Sequence, residues 1–401
     1  MARPLSLRAL LALRRGTSGA PANSVTWPQR PSGPVIWFHA GQNDLAAAGL
    51  SLMAEFRAEG EAATLLLTSN VRAQVAGDAG RTITLALPDD RSEDAALFAR
   101  HWRPDVLIWT GGGLRPRLLD HCRDPRLTKI LIDSPGDPPL VDAGGPLLPG
   151  VTRALLDLFD EALCTNDERA AFLVRSGLPQ DRIRRMNPLQ QIPPVPPFIE
   201  SDRQDMARAL GTRPVWLCVD PSEAEIAHVI AAHRQAVRRA HRLLLIIAAA
   251  DPDAVLPALR EDGLDVAQRK AGEEPTFNTD VLLADLGELG LWYRLAPMTF
   301  VGGTLDGQPG RDPFEAAALG SAVIHGPSEG GFGERFHALH LAGASYQIDR
   351  GEQLWLGVVG LLSADRAAQF AHAGWDVATR GAETLSYLTE RLREAVDGSG
   401  R

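Results

Sequence analysis

Short uninterrupted apolar runs, each followed by helical spacing, constrain this chain more than any other feature of it. Val35-Ile36-Trp37-Phe38-His39 is the first run, and a helix is predicted over 46–57. Further runs stand at 64–68, 106–109, 130–132 and 162–164. Runs this continuous, without the alternation of a half-solvated strand, predict parallel strands covered by helices on both faces. The rhythm stops between Pro188 and Pro197, where five prolines in ten residues cannot extend a helix or a central strand. It resumes with a strand over 215–219 and a helix over 222–239. Strands are then predicted at 243–248, 280–284, 298–301 and 322–324, and closing helices at 352–362 and 382–396.

The expected fold class is therefore α/β, with two Rossmann-like domains facing a cleft. An N-terminal basic and apolar segment covers 1–30, the first domain 31–187, a Pro-rich linker 188–200 and the second domain 201–401. Nucleotide-sugar glycosyltransferases of the B type have this architecture, and periplasmic binding proteins and epimerases share it. In open parallel sheets ligands bind outside the carboxyl ends of the strands, so function is expected there.

Charge removes one class of function. The chain of 401 residues has 41 basic and 50 acidic residues, a formal net charge of −9. No nucleic-acid partner is expected, because sequence-independent binding needs a basic footprint. The three cysteines, Cys122, Cys164 and Cys218, lie far apart in apolar stretches. They read as buried thiols in a reducing compartment, not as a disulfide framework or a zinc site. No metal and no cofactor is expected. The run Leu5 to Arg15 is interrupted by Arg8, which argues against an export signal. It is either an amphipathic helix lying on an anionic leaflet or a docked N-terminal helix.

Two segments have the residue types of a ligand site. Gly302-Gly303-Thr304-Leu305 directly follows a strand, where glycines permit close backbone approach. Asp312-Pro313-Phe314-Glu315 then reads as N-cap, N1, N2 and N3 of a helix. Its N-terminus would offer N–H groups to a phosphate, and Glu315 would accept from ribose hydroxyls. The same pattern is also a capping box that needs no ligand. Trp109-Thr110-Gly111-Gly112-Gly113, with Arg115 and Arg117 beyond it, is a second donor-rich turn. It either faces an anionic acceptor or is a solvated loop. His39 reads as a cleft residue or a core histidine, while His228, His233 and His241 read as solvated. The pairs Asp89-Asp90 and Glu273-Glu274 read as loop charges.

The residues from Leu286-Gly287-Glu288-Leu289 through Leu291-Trp292-Tyr293-Arg294 to Phe300-Val301-Gly302-Gly303-Thr304-Leu305 resemble the C-terminal half of 3-deoxy-D-manno-octulosonic acid (Kdo) transferases. That family reads Met-Gly-Glu-Leu, an aromatic-rich helix, then Phe-Val-Gly-Gly-Ser-Leu. Its Gly-Gly-His-Asn-Pro-Leu-Glu is resembled by Pro309-Gly310-Arg311-Asp312-Pro313-Phe314-Glu315, and its Gly-Pro…Asn-Phe element by Gly326-Pro327 and Phe332. Val35 to Ala40 resembles its opening strand, so the similarity runs from about Pro34 to Ile348. The resemblance implies a peripheral enzyme on the cytoplasmic face of the inner membrane. Such an enzyme transfers Kdo from CMP-Kdo, a CMP-activated acidic sugar, to a lipid A precursor in lipopolysaccharide biosynthesis, with inversion. Carried over by position, it implies nucleotide contacts from Leu286, Gly287, Glu288, Asp312, Pro313, Phe314 and Glu315; from their residue types, Gly302 and Gly303 are expected to hold the nucleotide with them, and Gly111, Gly112, Gly113 and Arg115 to face the acceptor.

The departures fall on chemistry. The family's Ala-Ser-Val-Gly-Glu, whose glutamate is the base, is replaced by Gly41-Gln42-Asn43-Asp44-Leu45. Asp44 is the nearby carboxylate, either a base or an N-cap. A second family glutamate is replaced by Gly113. The family's Pro-Arg-His-Pro-Glu reads Ala249-Ala250-Asp251-Pro252-Asp253, and a lysine near the linker is replaced by Gln190. Arg184, Arg185 and Arg311 are the cations available to replace those lost. Two other readings stay open: a transferase on this frame with a changed donor or acceptor, and a non-catalytic paralogue that scaffolds envelope synthesis.

Overall fold

The computed structural model describes residues 4–13, 27–58, 60–69, 81–90, 93–111, 113–133, 150–191, 196–308 and 310–399. Much of the 1–30 segment, Gly112, the middle of the Pro-rich linker and the side chain of Asp44 lie outside the described residues.

Among the described residues, fourteen strands form two parallel sheets. The first contains β1 (Val35–Ala40), β2 (Thr64–Ser69), β3 (Thr82–Ala86), β4 (Val106–Thr110), β5 (Thr128–Asp133), β6 (Glu161–Cys164) and β7 (Ile183–Arg185). Their spatial order is 3-2-1-4-5-6-7. The second contains β8 (Val215–Val219), β9 (Leu244–Ala249), β10 (Val266–Gln268), β11 (Val281–Asp285), β12 (Met298–Val301), β13 (Ala322–His325) and β14 (Ser345–Gln347). Their order is 10-11-9-8-12-13-14.

Strand periodicity explains why the central runs are apolar throughout. On β1, Val35 and Trp37 enter a core with Leu66, Phe98, Trp102 and Trp109. Ile36, Phe38 and Ala40 point to the opposite face, with Leu65, Leu67, Phe56 and Ile108. Successive side chains alternate, so a strand covered on both sides has no position left for solvent. β8 repeats the scheme, with Leu217 and Val219 on one face and Trp216 and Cys218 on the other.

The chain divides into Met1–Ile192 with Arg380–Arg401, and Pro193–Thr379. This differs from the expected second domain over 201–401, because the closing helix Ala382–Ser399 packs on the first sheet. Its Leu385, Leu388 and Leu392 complete the core that holds Phe38 and Ile108. Its polar face also meets a buried charge. Glu161, at the start of β6, is 7% exposed and accepts from Arg391 Nε at 2.8 Å and from the Tyr387 hydroxyl. Thr384 Oγ1 donates to the Asn187 carbonyl at 2.6 Å. These contacts tie both ends of one stripe to the first unit.

The N-terminal helix Leu5–Leu13 docks. Leu7 and Leu10 are buried in the first unit's core, which occupies the apolar face a leaflet would need. Two charge readings also change. Asp90 is buried and its Oδ1 accepts from Leu118 N at 2.9 Å, so it holds a helix start and is not a loop charge. His233 is 1% exposed, and its Nδ1 accepts from Trp216 Nε1 at 3.1 Å. It lies on the core face of the helix Glu223–Val237, which corrects the solvated reading.

Replacing Glu161 with Ala leaves Arg391 Nε and the Tyr387 hydroxyl without their acceptor. It is expected to lower unfolding stability by about 1–3 kcal/mol, read by urea denaturation. Burial pushes His233 down from 6.5 to about 4. Between those pH values the unfolded histidine binds the proton and the folded one does not, so stability is lost as pH falls through the window. His233→Phe is expected to flatten the slope of unfolding midpoint against pH there, whatever its effect on stability at neutral pH.

Candidate functional site

Each sheet reverses its order of strand addition once, between β1 and β4 and between β8 and β12. The carboxyl ends of those pairs are where an open sheet has a ligand crevice.

In the first unit this place is built on glycine and threonine. Thr110 Oγ1 donates to the His39 carbonyl at 2.9 Å and accepts from Gly41 N at 3.1 Å. A Cβ on Gly41 would stand 2.8 Å from the Gly111 carbonyl carbon, so the two loops meet backbone to backbone. Gly111 (φ 49°) and Gly113 (φ 78°) are both left-handed, and Gly113 has open space around its α-carbon. Arg115 is half-buried at the cap of the helix Pro116–Asp120. The helix after β1 begins at Asn43, and Ala46 N donates to the Gln42 carbonyl. Asp44 therefore lies within the first turn, not at the cap position one of its two readings required. His39 is fully buried, with Nδ1 3.2 Å from Thr68 Oγ1 and its ring 4.1 Å from that of Trp109. Burial, aided by the Arg115 charge, pushes it down to about 3. It is a neutral core histidine.

In the second unit a buried carboxylate organises the crevice. Glu225 is 1% exposed. Its Oε2 accepts from Gly303 N at 2.6 Å and Ser222 N at 3.0 Å, and its Oε1 from Leu305 N at 2.8 Å. Burial raises its pKa, and the three N–H groups oppose that rise. The Gly303 amide is thus already engaged and offers no donor to a phosphate. Gly302 is required for a different close approach than a ligand's: a Cβ there would lie 2.4 Å from the Asp220 carbonyl oxygen. Thr304 Oγ1 donates to the Val301 carbonyl and accepts from Gly326 N, fixing the loops after β12 and β13 together. A pocket of about 810 Å³ opens beside this loop, lined by Asp220, Ser222, Glu223, Gly303, Asp306 and Gln308 among others. Its charged lining is acidic.

The opposite side of β12 has the cations. Asp312 caps the helix Pro313–Ala318 by accepting from Phe314 N at 3.0 Å, and Glu315 N donates to the Asp312 carbonyl at 3.2 Å. Pro313 has no N–H. The first three positions therefore have no free donor, and the helix start is not the phosphate cradle expected from its sequence. Arg335 pairs with Asp312. Arg311 holds Glu315 through Nε at 3.2 Å and Nη2 at 3.0 and 3.1 Å, and the buried Tyr293 hydroxyl stands 3.4 Å from Glu315 Oε2. Tyr293 belongs to the helix Leu289–Leu295, which directly follows the turn Leu286–Glu288. In that turn Gly287 N donates to Asp285 Oδ1 at 2.7 Å, and Glu288 is paired at both oxygens with Arg269 at 2.9 and 3.0 Å. Tyr293 thus links the 286–288 turn to Glu315. Glu225, Arg269 and Arg335 were missed from sequence. For Glu225 the signal was present, as Ser222-x-x-Glu225 opens an apolar helix and forms a complete capping box.

Residues 15–191 match the family model described as 3-deoxy-D-manno-octulosonic-acid transferase (kdotransferase). The 3-deoxy-D-manno-octulosonic acid transferase of Haemophilus influenzae is 28% identical over 187 residues, covering 45% of this chain and 44% of that protein. The Arabidopsis thaliana protein named "Probable 3-deoxy-D-manno-octulosonic acid transferase, mitochondrial" is 24% identical over 340 residues, covering 79% and 76%. Among solved structures, the C-terminal CMP-Kdo binding domain of WaaA from Acinetobacter baumannii matches with a TM-score of 0.41 and 23% identity. It covers 45% of this chain and 100% of that one. The matched stretch thus spans less than half of the Haemophilus protein and about three quarters of the Arabidopsis one. The chain is thus similar, at modest identity and most clearly over residues 15–191, to the 3-deoxy-D-manno-octulosonic acid transferases.

Proposed function

We propose that this protein is a glycosyltransferase that moves Kdo from CMP-Kdo to a lipid A-type acceptor in lipopolysaccharide biosynthesis. The observation that carries the reading is the family match over 15–191, which covers nearly all of the first unit's sheet. The second unit supports it by joining Leu286, Gly287 and Glu288 to Asp312, Pro313, Phe314 and Glu315 through Tyr293, so one patch would hold the nucleotide. Gly302 and Gly303 would shape that patch through packing and the Glu225 contact. Gly111, Gly112, Gly113 and Arg115 would face the acceptor.

In this scheme an acceptor hydroxyl attacks the anomeric carbon of Kdo. The new carbon–oxygen bond forms as the bond to the CMP phosphate oxygen breaks, CMP leaves, and the configuration inverts. Asp44, in the first turn of the helix after β1, takes the hydroxyl proton. The protein would work at the cytoplasmic face of the inner membrane as a peripheral enzyme. Among the described residues no helix is long and apolar enough to cross a membrane.

A second reading, the same frame with a changed donor or acceptor, is favoured by the carboxylates of the β8–β12 pocket. Asp220, Glu223 and Asp306 would repel a donor with both a phosphate and a carboxylate. In the first turn of the helix after β9, Asp253 is paired with Lys270 at 3.1 Å, so that lysine is not free to offset them.

Mass spectrometry of lipid A precursor incubated with the protein and CMP-Kdo generated in situ is expected to show added Kdo. Asp44→Asn is expected to lower kcat by about 10²–10⁴-fold with little change in CMP affinity. Transfer from another nucleotide sugar, with none from CMP-Kdo, would replace this reading by the second. An absence of transfer from any donor, beside an active family enzyme, would reject both.

A further inference from the structure

The family positions that lose a cation here are Ala250, in the loop after β9, and Gln190, near the start of the linker. The three arginines available to replace those cations are not equivalent in the structure. Arg184 and Arg185 belong to β7 in the first unit, where they pair with Glu161 at 3.7 Å and Asp167 at 2.8 Å. Arg311 is in the second unit, in the loop that leads from β12 to the Pro313–Ala318 helix. It stands where the resembled motif has histidine, so the position gains a permanent charge and a fork of donors.

Its surroundings are those of an oriented arginine. Nε and Nη2 are both committed to Glu315, at 3.0 to 3.2 Å, and Glu315 is held from behind by the Tyr293 hydroxyl. Tyr293 is itself 2% exposed, so the clamp stands on the core. The fork to Glu315 uses Nε and Nη2 and leaves Nη1 outside it. The guanidinium side chain is 31% exposed and the Glu315 side chain 13%, so the carboxylate lies inside and the cation has the outer position. Across β12, Asp220, Glu223 and Asp306 line the pocket, whereas on the Arg311 side each carboxylate, Glu315 and Asp312, is balanced by an arginine. An anion entering this crevice is repelled from the β8 side and meets no net negative charge on the Arg311 side.

We infer that Arg311, fixed by Glu315 and Tyr293, is the residue that binds the phosphate of the nucleotide donor, through its Nη1 edge. The inference rests on the CMP-donor reading and deepens it: the anion is recognised on the β12 side of the crevice and not at the loop after β9. Glu315 then serves as a positioning residue for the cation. This sets donor specificity, because a nucleoside without phosphate gains nothing from Arg311. A lysine there would supply charge without the two-point hold on Glu315.

The test is calorimetric titration of the full chain with cytidine, CMP and free Kdo. Arg311→Ala is expected to weaken CMP at least about tenfold and leave cytidine unchanged, with Arg311→Lys recovering only part of the loss. Glu315→Gln is expected to weaken CMP more than cytidine, because the charge of Arg311 remains but its orientation is lost. Thermal melting of each variant separates these effects from unfolding. Equal losses for CMP and cytidine in Arg311→Ala would make the residue structural and overturn the inference, as would unchanged CMP binding. Loss of free Kdo with CMP retained would assign the cation to the sugar carboxylate and overturn the phosphate assignment. If the wild type bound neither cytidine nor CMP, the CMP-donor reading itself would fall. Wild-type CMP binding with an indifferent Arg311→Ala would reject the inference alone.

Discussion

A parallel sheet covered on both faces leaves chemistry only one place to go, the loops at its carboxyl edge. Trp37 and Phe38 are neighbours in sequence, lie in opposite cores and are both fully buried. Every side chain on such a strand is committed to packing, so recognition falls to the residues that follow it. Gly41, Gly111, Asp220, Gly302 and Arg311 all stand in such loops. Their backbone geometry is set by the close approach of the loops to one another: Gly41 against Gly111, and Gly302 against Asp220. Glycine is needed at these contacts for packing first, and any ligand meets a surface already fixed by it.

Carboxylates do most of the fixing. Glu225 joins three backbone amides from two loops, Glu161 joins the closing helix to β6, and Glu315 orients Arg311. Each is wholly or largely buried, and each has its oxygens satisfied by donors, which is the condition for keeping a carboxylate in a core. The consequence for function is that charge at the second unit's carboxyl edge is segregated. Acids line the pocket beside β8, while Arg311 and Arg335 stand beyond β12. A donor anion approaching that edge would be repelled from the β8 side.

How much of this was legible in the sequence follows from burial. The ten central strands announce themselves as apolar runs because both faces are covered. β3, β7, β10 and β14 were not found, and they are the four outermost strands of the two sheets. An edge strand has a neighbour on one side only, and three of these four are three residues long. Thr82–Ala86 alternates, so it has no run to detect. The closing helix was found, but nothing local shows that its leucine stripe belongs to the first sheet, since that choice is made by Glu161 more than two hundred residues away. His233 failed for a related reason: its charged neighbours face solvent while its own position faces Trp216. At the candidate site, the segment at 312–315 was found from its capping pattern and that at 286–288 by resemblance. Their N–H groups are engaged locally, by Asp285 and Asp312, whereas the engagement of Gly303 depends on Glu225, a tertiary neighbour that no local pattern places there.

A crystal structure of the protein with CMP would test the proposed nucleotide site most directly. The account predicts the phosphate within hydrogen-bond distance of the Arg311 guanidinium, with the nucleoside against the 286–288 turn and Glu315. A phosphate seated among Asp220, Glu223 and Asp306, or at the loop after β9, would contradict it.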